Sequence, residues 1–407
     1  MLSKIKNIDW TLVIILLIFM GICIPVLNSA ITNSTNANIS ASVKNMVVYY
    51  ILGFIVFFGV AAVPYQLLIK YSIYIYVIGI GVLLLVWTPL RMTLNNADGW
   101  VKIAGISLQP AEVFKLVLII GIAAYLNHKQ KDKLLFWKDI VPTGLIVLVP
   151  FGLVMLQNDL GNALCYLVIF AGLLWIGNMK YTHALIFLVL AVGMLIGGIE
   201  GYKTYREPIG EFVGQARAHW LERIDAWLIP EQATEKAMYQ IERAQLAIGN
   251  GGMLGTGYMQ GENSARVPYT YADSVITVIA EEYGFVGMAA LLLVYFILIH
   301  RMILIALNCR ERAGPYIIVG IVAMLMYQIF ENIGMFMGLM PLTGITLPFI
   351  SYGGTSLLIN MACIGVVMSI HFSNKKHEET ENILRTDHLE EEDKKNKRKF
   401  KLPSLKF

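Results

Sequence analysis

The chain has 407 residues, 57% of them hydrophobic and 15% charged, with a formal net charge of +4 and a mean hydropathy of +0.63. That is too apolar and too sparsely charged for a soluble domain, so the sequence reads as an all-α polytopic integral membrane protein with no nucleic-acid partner. Cys23, Cys165, Cys309 and Cys363 lie in or beside apolar runs without CxxC spacing, which argues against structural disulfides and a zinc site.

Windows long enough to cross about 30 Å of hydrocarbon run over residues 10–30, 46–65, 72–89, 110–126, 140–157, 162–177, 183–199, 274–307, 315–340 and 349–372. The sequence therefore predicts about ten transmembrane helices. The first window is long for a signal peptide and is read as a retained helix. Asp159 and Gly161 separate the fifth and sixth windows so briefly that the two must form a tight hairpin.

Lys4, Lys6, Lys70, Lys129, Lys131, Lys133, Lys138, Lys180, Arg301, Arg310 and Arg312 fall on one side of these spans, against Lys44, Arg91 and Lys102 on the other. The basic side is expected to be cytoplasmic, with both termini on it. Residues 1–372 form the membrane domain, and residues 373–407 read as a disordered charged tail. In it an acidic patch (Glu390, Glu391, Glu392, Asp393) precedes a basic run from Lys394 to Lys401. The tail either fixes topology alone or also meets anionic lipid heads.

The polar, glycine-rich and proline-rich pieces collect on the other, external side: residues 31–45, 90–109, the QNDLG turn, 200–273 between the seventh and eighth spans, and 341–348. The large segment 200–273 is too long for a plain connection. Its amphipathic stretch 231–247 is expected to fold over the external mouth. Asn33 and Asn38 stand in glycosylation-like triplets, a pattern too short to carry weight.

Ionisable groups at membrane depth mark four places. A glycine-rich stretch leads through Pro268 to Asp273, followed by Glu281 and Glu282 inside an apolar helix. Acids there face a partner or a wet cavity, because hydrocarbon charges each roughly 2.5–3.5 kcal/mol. Asp273 is either a functional carboxylate or the N-cap of the next helix. In QPAEVFKL, Glu112 and Lys115 share a helix face, as a functional pair or a packing device. Asp159 lies in a turn. In ENIGMFMGLMPLTGITLPFISYGGTS, Glu331 and Asn332 sit within a span, while Pro341, Gly344 and Pro348 impose non-helical backbone near the membrane surface. Such backbone survives there only when buried in protein or lining a wet cavity. Nothing resembles a P-loop, a GxSxG elbow or an HExxH zinc helix.

These segments, in this order, resemble the SEDS proteins (shape, elongation, division and sporulation: RodA, FtsW and SpoVE). NIGMFMGLMPLTGITLPFISYGGTS is similar to the family signature almost residue for residue, QPAEVFKL resembles its QPSE…K segment, and QNDLGNA its QPDLGTA turn. AIGNGGMLGTG is similar to its AIGSGG…GKG loop, and YADSVITVIAEEYGFVG stands where it has HTDF…EE.G. The resemblance implies a multi-pass peptidoglycan glycosyltransferase of the bacterial plasma membrane. Such an enzyme polymerises lipid II, an undecaprenyl-diphosphate-linked disaccharide peptide, on the outer face, partnered by a class B penicillin-binding transpeptidase. Asp273 then maps onto the catalytic aspartate, and Glu112 and Lys115 onto the family's pair in the fourth span. Asp159, Asn332 and Ser351 join these two as expected substrate-binding residues.

The chain also departs from the family pattern. Asp98 and Gly99 stand where basic residues usually precede the Trp, here Trp100, and Thr256 replaces the lysine of GKG. Ala272 and Ser274 flank the aspartate in place of Thr and Phe, and Arg243 replaces a Gln. Arg243 and Arg266 are the expected compensating cations, with Lys115 or a divalent cation (Mg or Mn) as other sources of charge for the diphosphate. A lipid-linked precursor flippase, or a non-catalytic partner of a transpeptidase, is the competing reading.

Overall fold

The computed structural model describes residues 7–34, 41–94, 97–103, 106–129, 133–213 and 218–399. Lys4, Lys6, Asn38, Lys131 and Lys401 lie outside the described residues, as do the side chains of Asp98 and residues 386–399. Among the described residues, eight helices are long and apolar enough to cross a membrane. They are α1 (Trp10–Thr32), α2 (Val43–Ala62), α5 (Pro110–Lys129), α6 (Val141–Leu156, entered through the turn Phe136–Ile140), α8 (Tyr181–Thr204), α12 (Val275–Leu307), α13 (Ala313–Phe336) and α14 (Gly354–Lys399). Two further apolar helices, α4 (Ser72–Leu84, continued to Trp87) and α7 (Leu160–Ile176), are shorter. The short α3 (Tyr65–Lys70) joins α2 to α4.

The core is formed by α5, α13 and α14, whose apolar windows are mostly buried. Small residues bring the backbones together. A Cβ on Gly365 of α14 would lie 2.7 Å from the Phe57 carbonyl of α2, and one on Gly320 of α13 would lie 2.8 Å from Ile119 of α5. By contrast, none of the apolar window of α8 is buried, so this helix stands away from the bundle. A polar clamp holds its far end. The Arg206 guanidinium donates two bonds to the Asp225 carboxylate, at 2.7 and 2.6 Å, and Tyr202 of α8 donates a third at 2.6 Å.

Helix α1 starts where Asp9 caps Leu12 N and is ion-paired with Arg301 at 2.6 Å. The chain alternates from that end, so the glycine-rich and proline-rich segments gather at the opposite, loop end. The stretch between α8 and α12 is mostly helical: α9 (Arg206–Val213), α10 (Ala218–Leu228) and α11 (Glu235–Asn250), the last close to the amphipathic stretch read from sequence.

Two segments carry structure that the sequence reading did not give them. The segment between α4 and α5 holds an antiparallel three-stranded sheet, β1 (Arg91–Leu94), β2 (Ala97–Ile103) and β3 (Ile106–Leu108), with Met92 paired to Trp100 and Val101 to Leu108. Its strands are too short to stand out from turn residues in a sequence scan. The charged tail, expected to be disordered, continues α14 as helix to Lys399. Glu and Lys are good helix formers, and the first turns past Phe372 are docked. Gln66 donates to Ser373 at 2.8 Å, Asn7 to Glu379 at 2.9 Å, and Arg310 pairs with Glu381.

Candidate functional site

The glycine-rich loop wraps a break in α12. Gly284 has φ 63° and ψ −159°, which interrupts the helix and frees backbone groups. The loop supplies partners: Phe285 N donates to Gly252 O at 2.9 Å, Val286 N to Met253 O at 3.1 Å, and Thr256 N to Glu281 O at 2.9 Å. Gly255 (φ 82°) lies against the Glu282 carbonyl, where no Cβ fits. The Glu281 carboxylate accepts from Asn250 Nδ2, Asn263 N and Asn263 Nδ2, each at 3.0 Å, and from Ser264 N at 2.6 Å. Ser29 of α1 donates to Glu282. The two acids that looked unpaired in the sequence are thus fastenings of this loop.

Asp273 is placed differently. It lies in a turn in which Ala272 N donates to Tyr269 O at 2.8 Å, and the N-cap of α12 is the next residue, Ser274. Ser274 Oγ donates to Pro268 O at 2.8 Å rather than accepting from the helix, and it accepts from Gln240 Nε2 of α11 at 3.3 Å. The Asp273 carboxylate therefore caps no helix. The residue as a whole is half-buried, and Oδ2 lies 3.9 Å from the point where a Cβ would stand on Gly344. Burial pushes its pKa from 3.8 up to about 6, against the Arg223 charge and the backbone N–H groups of Asp273 and Ser274, which pull it down.

Gly344 belongs to the strap 341–350, the non-helical backbone anticipated between the last two spans. Gly344 itself is exposed while residues 347–350 are buried in protein, and side chains from four helices satisfy the strap's carbonyls. Asn332 Nδ2 donates to Ile345 O at 2.7 Å and to the Asp273 carbonyl at 2.8 Å, which ties strap and carboxylate turn together. Tyr295, Tyr50 and Cys23 donate to the carbonyls of Pro348, Phe349 and Ile350. Thr343 donates to Glu331 Oε1 at 3.0 Å. Ser351 Oγ accepts from Leu347 N at 2.8 Å, a bond that closes the strap.

Asp159 caps α7 through Asn162 N at 3.0 Å and accepts from Gln109 Nε2 at 2.7 Å. Gly161, two residues on, packs on Thr343 and Ile345 of the strap. A side chain at Gly99 would point at Gln157 Oε1 (3.6 Å from its Cβ) and Asp159 Oδ2 (3.9 Å). Deeper in the bundle, Lys115 Nζ pairs with Glu112 Oε1 at 2.7 Å, with Lys115 wholly inaccessible. Of the cations anticipated at Asp273, Arg243 lies over the Tyr239 ring at 5.2 Å and Arg266 is exposed at the end of the Ser264–Arg266 turn. Arg223 on α10, which the sequence reading passed over, supplies the positive field. Only a helix periodicity placing residue 223 opposite the buried Asp225 could have pointed to it.

The raised pKa has a signed consequence. A carboxylate acting as base works ionised, so activity should fall as pH drops through about 6. Because the folded state holds this proton more tightly than the unfolded chain, stability should decline as pH rises from about 4 to 6. Melting profiles of the parent and of Asp273→Asn should converge at the acid end and separate above it. A pH–rate limb at the ordinary carboxylate pKa would contradict this environment.

A helical membrane bundle with a strapped carboxylate turn at one end is the class that this geometry defines. Residues 8–376 match the FtsW/RodA/SpoVE cell cycle protein family, and the chain belongs to that family. It is 30% identical over 377 residues to stage V sporulation protein E of Bacillus subtilis, covering 91% of this chain and 98% of that one. It is 32% identical over 343 residues to a probable peptidoglycan glycosyltransferase FtsW of Coxiella burnetii, covering 82% and 86%. Its fold matches a chain of a peptidoglycan synthase complex coordinating polymerization and crosslinking (TM-score 0.72, 25% identity, 90% and 98% covered). It also matches the rod shape determining protein RodA of Thermus thermophilus (TM-score 0.64, 26% identity, 90% and 97% covered).

Proposed function

We propose that the chain polymerises lipid II into glycan strands at the outer face of the bacterial plasma membrane, with Asp273 as general base. The observation that carries this reading is the Asp273 carboxylate. It does no capping, belongs to a half-buried residue, has a raised pKa, and is held by Asn332 and the strap in a chain of this family. The 4-hydroxyl of one lipid-linked disaccharide attacks the anomeric carbon of another. Asp273 takes the hydroxyl proton as the new bond forms, a contribution of about 10² to 10⁴ in rate, and the undecaprenyl diphosphate leaves.

Lys115 is too deeply buried to meet that diphosphate. Arg223 is the better source of charge. Among the described residues no cluster of three or more metal-ligating side chains exists. A divalent cation, Mg or Mn, would therefore be held mainly by the substrate diphosphate. Its chemistry there would be neutralisation of charge on the leaving group.

In this reading α4 and α7 also cross the membrane, giving ten spans, with both termini cytoplasmic and residues 200–273 outside. Likeness to a synthase complex that couples polymerization to crosslinking supports a class B penicillin-binding transpeptidase as partner. For topology, a membrane-impermeant thiol reagent added outside the cell should modify Gln232→Cys and leave Lys129→Cys untouched. The reverse pattern would invert the protein in the membrane. For activity, the purified full chain given lipid II should yield glycan chains resolvable on gels, and failure with folded protein would remove the polymerase reading.

A further inference from the structure

The chain from α11 into the glycine-rich loop runs alongside α12. Gln240 bonds Ser274 at 3.3 Å, Asn250 bonds Glu281 at 3.0 Å, and Met253 O accepts from Val286 N at 3.1 Å. It therefore passes from the level of Asp273 down to the Gly284 break. At the tip the side chains are apolar and open, with Met253 66% and Leu254 80% exposed. The backbone bonds to Phe285 and Val286 set this tip beside two further exposed apolar residues. From there Leu292, Leu293 and Phe296 continue the exposed face of α12 at helical spacing. Residues 251–261 include no Asp, Glu, Lys, Arg or His.

The partners of α1 fix the depth of this tip in the bilayer. Asp9, beside the exposed Trp10, pairs with Arg301, and Ser29 near the other end of α1 bonds Glu282. Between these two rungs α1 rises roughly 30 Å, about the thickness of the hydrocarbon core. Ionisable groups at both rungs fit the two boundaries of that core, where such groups are tolerated. Phe285, Val286 and the loop tip then lie at the loop-side boundary. Tyr258, whose hydroxyl accepts from Asn28 Nδ2 at 3.0 Å, stands at the same level, as interfacial tyrosines do. The loop backbone suits that depth as well. Gly255, Thr256 and Gly257 donate their N–H groups to the carbonyls of Gly251, Glu281 and Glu282 at 2.8, 2.9 and 3.1 Å, so these groups need no water.

We propose that Met253 and Leu254 are seated in the loop-side leaflet, where acyl chains meet headgroups, as an anchor continuous with the lipid-facing side of α12. The partner is the phospholipid leaflet itself. The proposal rests on the chain's lying in a membrane and not on the polymerase reading. Alongside that reading, the anchor fixes Asp273 roughly 12 Å of helix above the acyl boundary.

The test uses the full-length protein in phosphatidylcholine and phosphatidylglycerol vesicles, with Cys309, the one cysteine that is not fully buried, replaced by Ser. Met253→Cys, Leu254→Cys and, as a reference exposed on α11 near the Ser274 level, Tyr239→Cys each carry a nitroxide. Collision with oxygen, which concentrates among acyl chains, is compared with collision with a water-soluble nickel chelate. The oxygen-to-nickel ratio should be several-fold higher at both tip positions than at the reference. A ratio equal to that of Tyr239→Cys puts the tip in water and overturns the anchor. Exclusion of both reagents from the tip means that protein covers it, and overturns the anchor equally. With two tip positions, loss of folding in one variant leaves the other to decide.

Discussion

Replacing Lys115 alone by Met should cost more folded protein than replacing Glu112 by Gln and Lys115 by Met together. Both side chains are buried, Lys115 completely, and they are joined by a 2.7 Å ion pair. Glu112 Oε2 has no hydrogen-bond partner, so the lysine is what neutralises that carboxylate. Removing one partner strands a charge in low dielectric, typically at a cost of about 3–5 kcal/mol, whereas replacing both by neutral groups of similar volume is often close to neutral. Melting temperature and folded yield of the two single variants and the double variant measure this. Additive losses would show that the groups do not interact. Because Lys115 lies within the electrostatic reach of Asp159, a double variant that folds yet polymerises slowly would assign the pair to shaping the site.

The helices were legible because a span is a long apolar window bounded by polar residues, and nothing subtler was needed to find α1, α2, α5 and α12. The ends were less so. The last span was expected from Phe349, but Phe349 holds φ 64° and the helix starts at Gly354. The strap keeps its backbone non-helical because Tyr50, Tyr295, Cys23 and Asn332 bond its carbonyls, and all of these donors except Asn332 come from helices far away in sequence. Proline and glycine announced irregular backbone there; nothing local announced which side chains would satisfy it.

The same limit governs the site. Asp273, Glu281 and Glu282 look alike as acids at a membrane boundary, and only tertiary bonds separate them. Glu281 is saturated by four donors and Glu282 is held by Ser29, while the half-buried Asp273 has its carboxylate beside Gly344. The capping alternative could be decided only by seeing that Ser274 holds the cap position. Lys115 was legible as a membrane-depth cation but not as a wholly buried one, and Arg223 was hidden among other charged residues of residues 200–273.

The central claim is that Asp273 accepts a proton during chain growth, and the Asp273→Asn variant tests it most directly. Asparagine is close in size to aspartate and keeps the Asn332 contact, which is made to the backbone carbonyl, so its melting should match the parent at the acid end. Above about pH 6, where the buried carboxylate ionises, it should be no lower than the parent. Without a proton acceptor, polymerisation of lipid II should fall by about 10² or more. Asp273→Ala, compared under identical conditions, should be equally inactive and nearly as stable, because no capping bond is lost. The measurement is initial chain formation from lipid II by purified Asp273→Asn, alongside its melting curve. Loss of polymerisation with no loss of stability is the predicted result; near-parental polymerisation would contradict it and take Asp273 out of the mechanism.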